Sequence, residues 1–283
     1  MDIARSYKPE KILLWRKVSK HPEAHRIIEF FPHAQIEVID QQRFVHTPDK
    51  TMAQALISGK KTLMIGATQS FVGNFDGGLG NNVRCCPYFK LVPISNGCPY
   101  YCTYCYPAFI YRKYAPYIKI NINYQTMFTR IRKTMQNTNG RCHFNLGEML
   151  DSLALDHITN LSTMLIPFFA DFQKSYLMLL TKSSNISNLL NIKANNQTVV
   201  SWSLNSPDII DLHEKGTANL AKRINAAQKC QQHGYRIRYR IDPRCIYPEW
   251  KKGYAEMINL ALTNTTTLYR FGLYDIINFD IEV

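Results

Sequence analysis

The sequence predicts an α/β protein: a parallel sheet backed by helices, behind a small N-terminal α/β region. Three observations carry this reading. From about residue 88, segments of strand character alternate with segments of helix character. That alternation implies a parallel sheet, because each crossover helix returns the chain to the same end of the sheet. No internal repeat or low-complexity block interrupts the pattern. Finally, 283 residues with 46% apolar side chains are enough for a sizeable core. Residues 1–85 form the small region and 86–283 the main domain.

In the small region, "QIEVID" (35–40) and "KKTLMIGAT" (60–68) read as strands. A glycine-rich loop, "GNFDGGLGNN", follows the second. It lacks a Walker lysine and no helix clearly begins after it, so it is not read as a phosphate cradle. The strands of the main domain are "YFKLVPI" (88–94), "YIKININ" (117–123), "CHFNLG" (142–147), "SYLMLLTK" (175–182), "TVVSWSLNS" (198–206) and "YRIRYRID" (235–242). The last alternates with period two, which leaves one face polar. Helices are expected at 124–137, 152–172, 185–192, 217–233 and 248–263. The final one opens with Pro248 and Glu249, a normal helix start. In "EKGT", Thr217 is expected to cap the helix that follows.

Lys and Arg number 34 against 21 Asp and Glu, a formal net charge of +13. Such an excess favours an acidic partner: nucleic acid, a nucleotide or an acidic electron-transfer protein. The N-terminus has basic residues but no long apolar core of a signal peptide. No window approaches the ~20 apolar residues of a membrane helix. A cytoplasmic protein with no membrane partner is expected, and its eight cysteines should be reduced thiols.

Three of those thiols stand in "ISNGCPYYCTYCYPAF": Cys98, Cys102 and Cys105, spaced C-x3-C-x2-C directly after a strand. Function in α/β folds gathers at the C-terminal ends of strands. Iron–sulfur clusters are held by Cys thiolates, normally four, so three leave one iron open. The other reading is a closed zinc site with His143 or Cys86 as fourth ligand. Zinc ribbons use paired CxxC knuckles, and no second pair exists here. Cys142, Cys230 and Cys245 read as ordinary reduced residues.

The cysteine spacing after a barrel strand resembles the radical S-adenosylmethionine (SAM) enzymes, and Tyr104 before the third Cys is typical of them. The loop "CPYYCTYCYP" and the segments "PYIKININ", "DSLALDHIT", "LMLLTKS", "SWSLNSPDIIDLHEKGT", "RINAAQKCQQHGYRIRYRIDP" and "EWKKGYAEMI" resemble, in order, the spore photoproduct lyase family. The last twenty residues match less well. The resemblance implies an incomplete (β/α)6-type radical SAM barrel behind the N-terminal α/β region. It implies a 4Fe-4S cluster on Cys98, Cys102 and Cys105, with SAM on the open iron. The reduced cluster cleaves SAM to methionine and a 5′-deoxyadenosyl radical. Lys182 and Ser203, near strand ends, match positions that bind SAM, with Asn205 and Asp242 as weaker members of the same pocket. Tyr104 and Tyr106 match tyrosines of a radical relay, or else pack the cluster; Tyr100 and Tyr101 read as packing or surface residues. A flavodoxin or ferredoxin-type electron donor is implied by the family alone.

One departure matters. The family carries a hydrogen-donor cysteine three residues before the position of Asp151, and Glu148 stands there instead. Gly147-Glu148 resembles an element that binds the SAM amino group, and a carboxylate facing an ammonium is a charge-assisted pair. The competing reading is an acid at a helix N-terminus. Cys142 has the same strand parity but lies ~20 Å down the strand, too far to substitute. Three functions follow: a radical SAM enzyme acting on DNA, of thymine-lesion repair type; the same chemistry on a peptide, RNA or small molecule; or a zinc-stabilised, non-catalytic nucleic-acid-binding protein.

Overall fold

The computed structural model describes residues 2–3, 6–42, 51–75, 88–111, 115–265, 272–273 and 276–278. Its first unit contains β1 (Lys11–Trp15), α1 (Pro22–Glu29), β2 (Gln35–Ile39), α2 (Met52–Lys60) and β3 (Thr62–Gly66). Strand β1 pairs in parallel with both β2 and β3. It is central, so its run "KILLW" is buried over Ile12, Leu13 and Leu14. Too short to show a period, it does not announce itself as a strand in the sequence. His21 caps α1 by accepting from the Glu23 N–H (3.1 Å), with Pro22 in the first turn. Thr51 and Gln54 cap α2 reciprocally.

Next come β4 (Val72–Phe75), β5 (Tyr88–Leu91), β6 (Ile94–Ser95), β7 (Tyr101–Cys102), α3 (Tyr106–Tyr111), β8 (Ile118–Asn121) and α4 (Tyr124–Gln136). Most of the glycine-rich loop, with Cys85 and Cys86, lies outside the described residues. The strand expected over 88–94 is broken at Pro93, which has no N–H for a ladder. Its first part joins the large sheet, and Ile94–Ser95 turns away to pair with β8. The strand expected at 117–123 is present as β8, but it extends the N-terminal sheet beside β3. Register there sets Ile118 against Leu63 and Ile120 against Ile65, and all four are buried.

The chain continues with β9 (Cys142–Asn145), α5 (Asp156–Thr159), α6 (Leu161–Ala170), β10 (Ser175–Thr181), α7 (Ser187–Leu190), β11 (Thr198–Leu204), α8 (Pro207–His213), β12 (Glu214–Lys215), α9 (Leu220–Gln232), β13 (Arg236–Ile241), β14 (Arg244–Ile246), α10 (Trp250–Asn264), β15 (Gly272–Leu273) and β16 (Ile276–Asn278). The large sheet runs β15-β13-β11-β10-β9-β5-β4. Its six strands from β5 to β15 are parallel, and β4 adds an antiparallel edge. This is the open six-strand barrel that the resemblance implied, with β15 rather than β8 as its sixth strand. The helix expected over 152–172 is divided at Asn160, which sits in the left-handed region (φ 52°). The helix after "EKGT" is capped by Asn219, whose side chain accepts from the Lys222 N–H (3.0 Å), and not by Thr217.

Strand β10 shows how the barrel is layered. Leu177 and Leu179 are buried under the helices, whereas Tyr176, Met178 and Leu180 are only half-buried on the other face. One apolar cluster runs through both sheets, from Ile12 and Ile65 to Leu177 and Trp202. Among the described residues no helix is long and apolar enough to cross a membrane.

Candidate active site at the strand ends

After β6 the chain reverses through Asn96 (φ 67°) and Gly97 (φ 125°). This tight reversal delivers Cys98, then β7 with Cys102, then Cys105 at the start of α3. The Cys105 N–H donates to the Cys102 carbonyl (3.2 Å). Cys98, Cys102 and Ile3 pack against buried Tyr100 and Ala154. No disulfide engages the three thiols. Burial pushes the Cys98 thiol up to about 12, although Lys60 opposes this, and burial raises Cys102 also. Part-buried thiols of this kind ionise when a strong positive partner arrives, and bound metal is such a partner. Among the described residues no three His, Cys, Asp or Glu side chains converge on a point that suits one metal ion. A cubane spreads its thiolates over separate irons, so it needs no such point. Three free thiols on one loop are the donor type that such a cluster takes. His143, the alternative zinc ligand, lies at the start of β9 and stacks on Tyr176 (5.2 Å between rings). Cys142, Cys230 and Cys245 are buried in the fold.

The cysteine loop is clamped from the side by β12. Glu214 lies opposite Cys102 and Lys215 opposite Tyr101, and the Thr103 N–H donates to the His213 carbonyl (2.9 Å). Glu214 is fully buried. Its carboxylate accepts from the Tyr104 hydroxyl, from Arg223 Nη2 (2.5 Å) and from Asn205 Nδ2 (3.5 Å). Arg223, also fully buried, donates to the Ala218 carbonyl (2.7 Å), the Ser203 carbonyl (2.8 Å) and Thr217 Oγ1 (2.7 Å). Burial disfavours the Glu214 charge, but Arg223 and Lys182 outweigh it and hold its carboxyl below the usual range. Nothing in the sequence singles out Glu214, though Arg223, a charge in the apolar stripe Leu220, Ile224, Ala227 of α9, is a local sign of a buried partner.

Lys182 follows the end of β10. Its N–H donates to Asp151 Oδ2 (2.6 Å), while Asp151 Oδ1 accepts from Leu153 N (3.0 Å), Ala154 N (2.9 Å) and Thr181 Oγ1 (2.7 Å). The Lys182 ammonium donates to Ser203 Oγ (2.9 Å) and lies 5.7 Å from the centre of the Tyr104 ring. Burial works against its charge, but Glu214 and Cys102 prevail and raise its pKa. Ser203 donates to the Asp242 carbonyl (3.1 Å). Asn205 is committed to the framework: it donates to the Pro243 carbonyl (3.0 Å) and accepts from the Tyr254 hydroxyl (2.7 Å). Of the two relay tyrosines, Tyr104 is tucked onto Glu214, whereas Tyr106 is 69% exposed. Tyr100 is buried, with its hydroxyl on Asp2 (3.0 Å).

Glu148 stands beyond the end of β9. Its Oε2 accepts from the Tyr88 hydroxyl and from Asn145 Nδ2 (3.0 Å), and lies 3.9 Å from Arg240 Nη1. Glu148 thus already faces a resident cation. Neither Tyr88 nor Arg240 was singled out from the sequence.

An open barrel of six parallel strands, with thiols, a lysine and a serine gathered at its strand ends, is the layout of a radical SAM enzyme. A family model described as spore photoproduct lyase matches residues 7–276, and the chain belongs to that family. It is 27% identical to the spore photoproduct lyase of Clostridium acetobutylicum, over 89% of this chain and 73% of that protein. To the Bacillus subtilis enzyme it is 25% identical, over 88% and 71%. Among solved structures, a spore photoproduct lyase variant with bound AdoMet and dinucleoside spore photoproduct superposes with a TM-score of 0.79 at 22% identity, covering 94% of this chain and 78% of that one. Spore photoproduct lyase complexed with dinucleoside spore photoproduct gives 0.79 at 21% identity, with the same coverage. At these identities the superpositions show the shared fold. The family is one of radical SAM DNA-repair enzymes that use a 4Fe-4S cluster and SAM, which sets aside the non-catalytic zinc protein.

Proposed function

We propose that this chain is a radical SAM enzyme acting on a lesion in DNA, with Cys98, Cys102 and Cys105 holding the cluster. One observation carries the reading: the Lys182 ammonium bridges Ser203 and the ring of Tyr104, so the strand ends and the cysteine loop meet at one cation. When bound, the cluster supplies the electron that splits SAM into methionine and a 5′-deoxyadenosyl radical.

The remaining work belongs to the chain. Lys182 meets the SAM carboxylate, and Ser203 its carboxylate or ribose. Asp151 fixes the backbone of Lys182, and Asn205 fixes the turn after β11. Glu214 and Arg223 hold the cysteine loop against the barrel. The electron comes from a flavodoxin or ferredoxin-type donor. The relatives solved with dinucleoside spore photoproduct support a nucleic-acid substrate, as does the charge of +13. To reach a barrel interior the base must leave its stack.

Glu148 favours a second reading of the substrate. A carboxylate cannot return a hydrogen atom as a thiol does, so the same machinery would suit a peptide, RNA or small molecule. The test is anaerobic reconstitution, then dithionite and SAM, with and without dinucleoside spore photoproduct. The expected result is 5′-deoxyadenosine from wild type and from Cys142→Ala, none from Cys102→Ala, and consumption of the lesion. Deoxyadenosine with the lesion left intact would select the second reading. A reconstituted protein that never cleaves SAM would overturn both.

A further inference from the structure

Asp2 and Ile3 have no part in the reading above, yet they touch three of its elements. The Asp2 carboxylate accepts four hydrogen bonds. Its Oδ1 accepts from the Tyr100 hydroxyl (3.0 Å), and its Oδ2 from Ser183 Oγ (2.9 Å), the Ser184 N–H (2.8 Å) and Ser184 Oγ (3.1 Å). Tyr100 stands between Cys98 and Cys102, and Ser183 directly follows Lys182. One carboxylate thus joins the cysteine loop to the end of β10. Hydrogen bonds to an ionised acceptor are the stronger class. Tyr100 and Ser183 are buried, so their hydroxyls need such a partner inside the fold. The Tyr100 carbonyl is held separately, by Lys60 Nζ at the end of α2.

Ile3 makes the third tie. Its N–H donates to the Gly216 carbonyl (2.8 Å), in the turn after β12, the strand that pairs with Cys102. Its side chain packs on Tyr100 and Ala154. Gly216 has a φ of +86°, and a Cβ there would lie 2.6 Å from Ile3 Cδ1, so only glycine leaves room for that side chain. The same turn is joined to β10 by the Ala218 N–H, which donates to the Lys182 carbonyl (3.2 Å). We infer that Asp2 and Ile3 strap the cysteine loop to the end of β10, and that Asp2 is a positioning residue that sets Lys182 in register with the cysteines for SAM binding. The inference rests on the reading in which Cys98, Cys102 and Cys105 hold the cluster and Lys182 meets the SAM carboxylate. A ligand held by two elements binds best when their separation is fixed beforehand.

The test uses the reconstituted protein, anaerobic and without reductant, so that SAM binds and is not cleaved. Iron content, the urea midpoint and SAM affinity by equilibrium dialysis are compared for wild type, Asp2→Ala, Tyr100→Phe and the double variant. Asp2→Ala is expected to keep the iron and the midpoint of wild type, because neither strap residue belongs to the main apolar cluster. It is expected to bind SAM roughly tenfold more weakly, the low end of what loss of an outer partner costs a bound group. In the reduced protein, the change that SAM causes in the electron paramagnetic resonance signal should need the same higher concentration. Tyr100→Phe removes only the loop end of the tie and is expected to lose part of that affinity. Because the two residues act as one tie, the double variant should bind no worse than Asp2→Ala. Wild-type affinity in Asp2→Ala overturns the inference and leaves the proposed function standing. So do losses that add in the double variant, and a weaker affinity accounted for by lost iron or a lower midpoint. Wild type that takes up no cluster, or binds no SAM, removes the proposed function and the inference together.

Discussion

Glu214 sits directly across a two-residue antiparallel bridge from Cys102, with its carboxylate paired to Arg223 at 2.5 Å and no exposed surface on either side chain. The second cluster cysteine is therefore held by backbone hydrogen bonds to a residue that is anchored by a buried ion pair. An exposed pair contributes little, but a buried one is costly to break, since the remaining charge stays unpaired.

Removing the cation alone tests this. Arg223→Met is expected to lower stability by about 3–5 kcal/mol, because Glu214 and the Ser203 and Ala218 carbonyls lose their donor. Urea unfolding, compared at the same slope, measures it. A loss below about 1 kcal/mol would mean that Lys182 alone satisfies Glu214.

The same pair sets a pH dependence. Glu214 has a carboxyl held below the usual range when folded. Its contribution is therefore complete above the unfolded carboxylate pKa and is lost as pH falls through the lower, folded value. Asp151 and Asp156 shift the other way, raised by burial, and blur the profile of wild type alone. Wild type should therefore be compared with Glu214→Gln, which cancels them. The difference in unfolding free energy is expected to be largest at neutral pH and to shrink on acidification. A difference constant down to about pH 3 would show that Glu214 is not ionised in the fold.

Much of this architecture was legible because its signals are local. The barrel strands β10 and β11 are short, largely apolar runs, β13 alternates with period two, and the cysteine spacing falls within eight residues of sequence. What escaped is non-local. Strand β8 has a pattern that suits either sheet, and only its partner β3 decides. The Tyr88 hydroxyl meets Glu148 from 60 residues away, and neither residue type alone implies the other. Arg223 went unremarked too, although a charge in the apolar stripe of α9 was a local signal that could have been read. Asn219 took the cap from Thr217 because Thr217 was drawn inward to Arg223 and the Glu214 carbonyl.

Gly147 is expected to tolerate no side chain. A Cβ there would lie 2.4 Å from the Leu180 carbonyl oxygen and 2.5 Å from Leu180 Cβ, and the first of these is backbone. Gly147→Ala must push β10 away just before Lys182. A cost of about 1–3 kcal/mol is expected, with weakened SAM binding by equilibrium dialysis. Unchanged stability and affinity would mean that the strand ends are free to separate.

The two tyrosines that flank Cys105 should separate in their behaviour. The Tyr104 hydroxyl donates to a buried carboxylate, a bond that contributes about 1.5–3 kcal/mol. Tyr104→Phe should lose roughly that much while keeping the ring under Lys182. Tyr106 is 69% exposed, and Tyr106→Phe should change stability by less than about 0.5 kcal/mol. The contrast extends to catalysis. A phenol that passes an electron must also release its proton, and Glu214 stands next to Tyr104 to accept it. Tyr106 has no carboxylate hydrogen-bonded to it among the described residues. If a relay operates, Tyr104→Phe should slow lesion turnover more than it slows 5′-deoxyadenosine formation without substrate, and Tyr106→Phe should alter neither. Both rates falling in step with the folded fraction in Tyr104→Phe would reduce that tyrosine to packing.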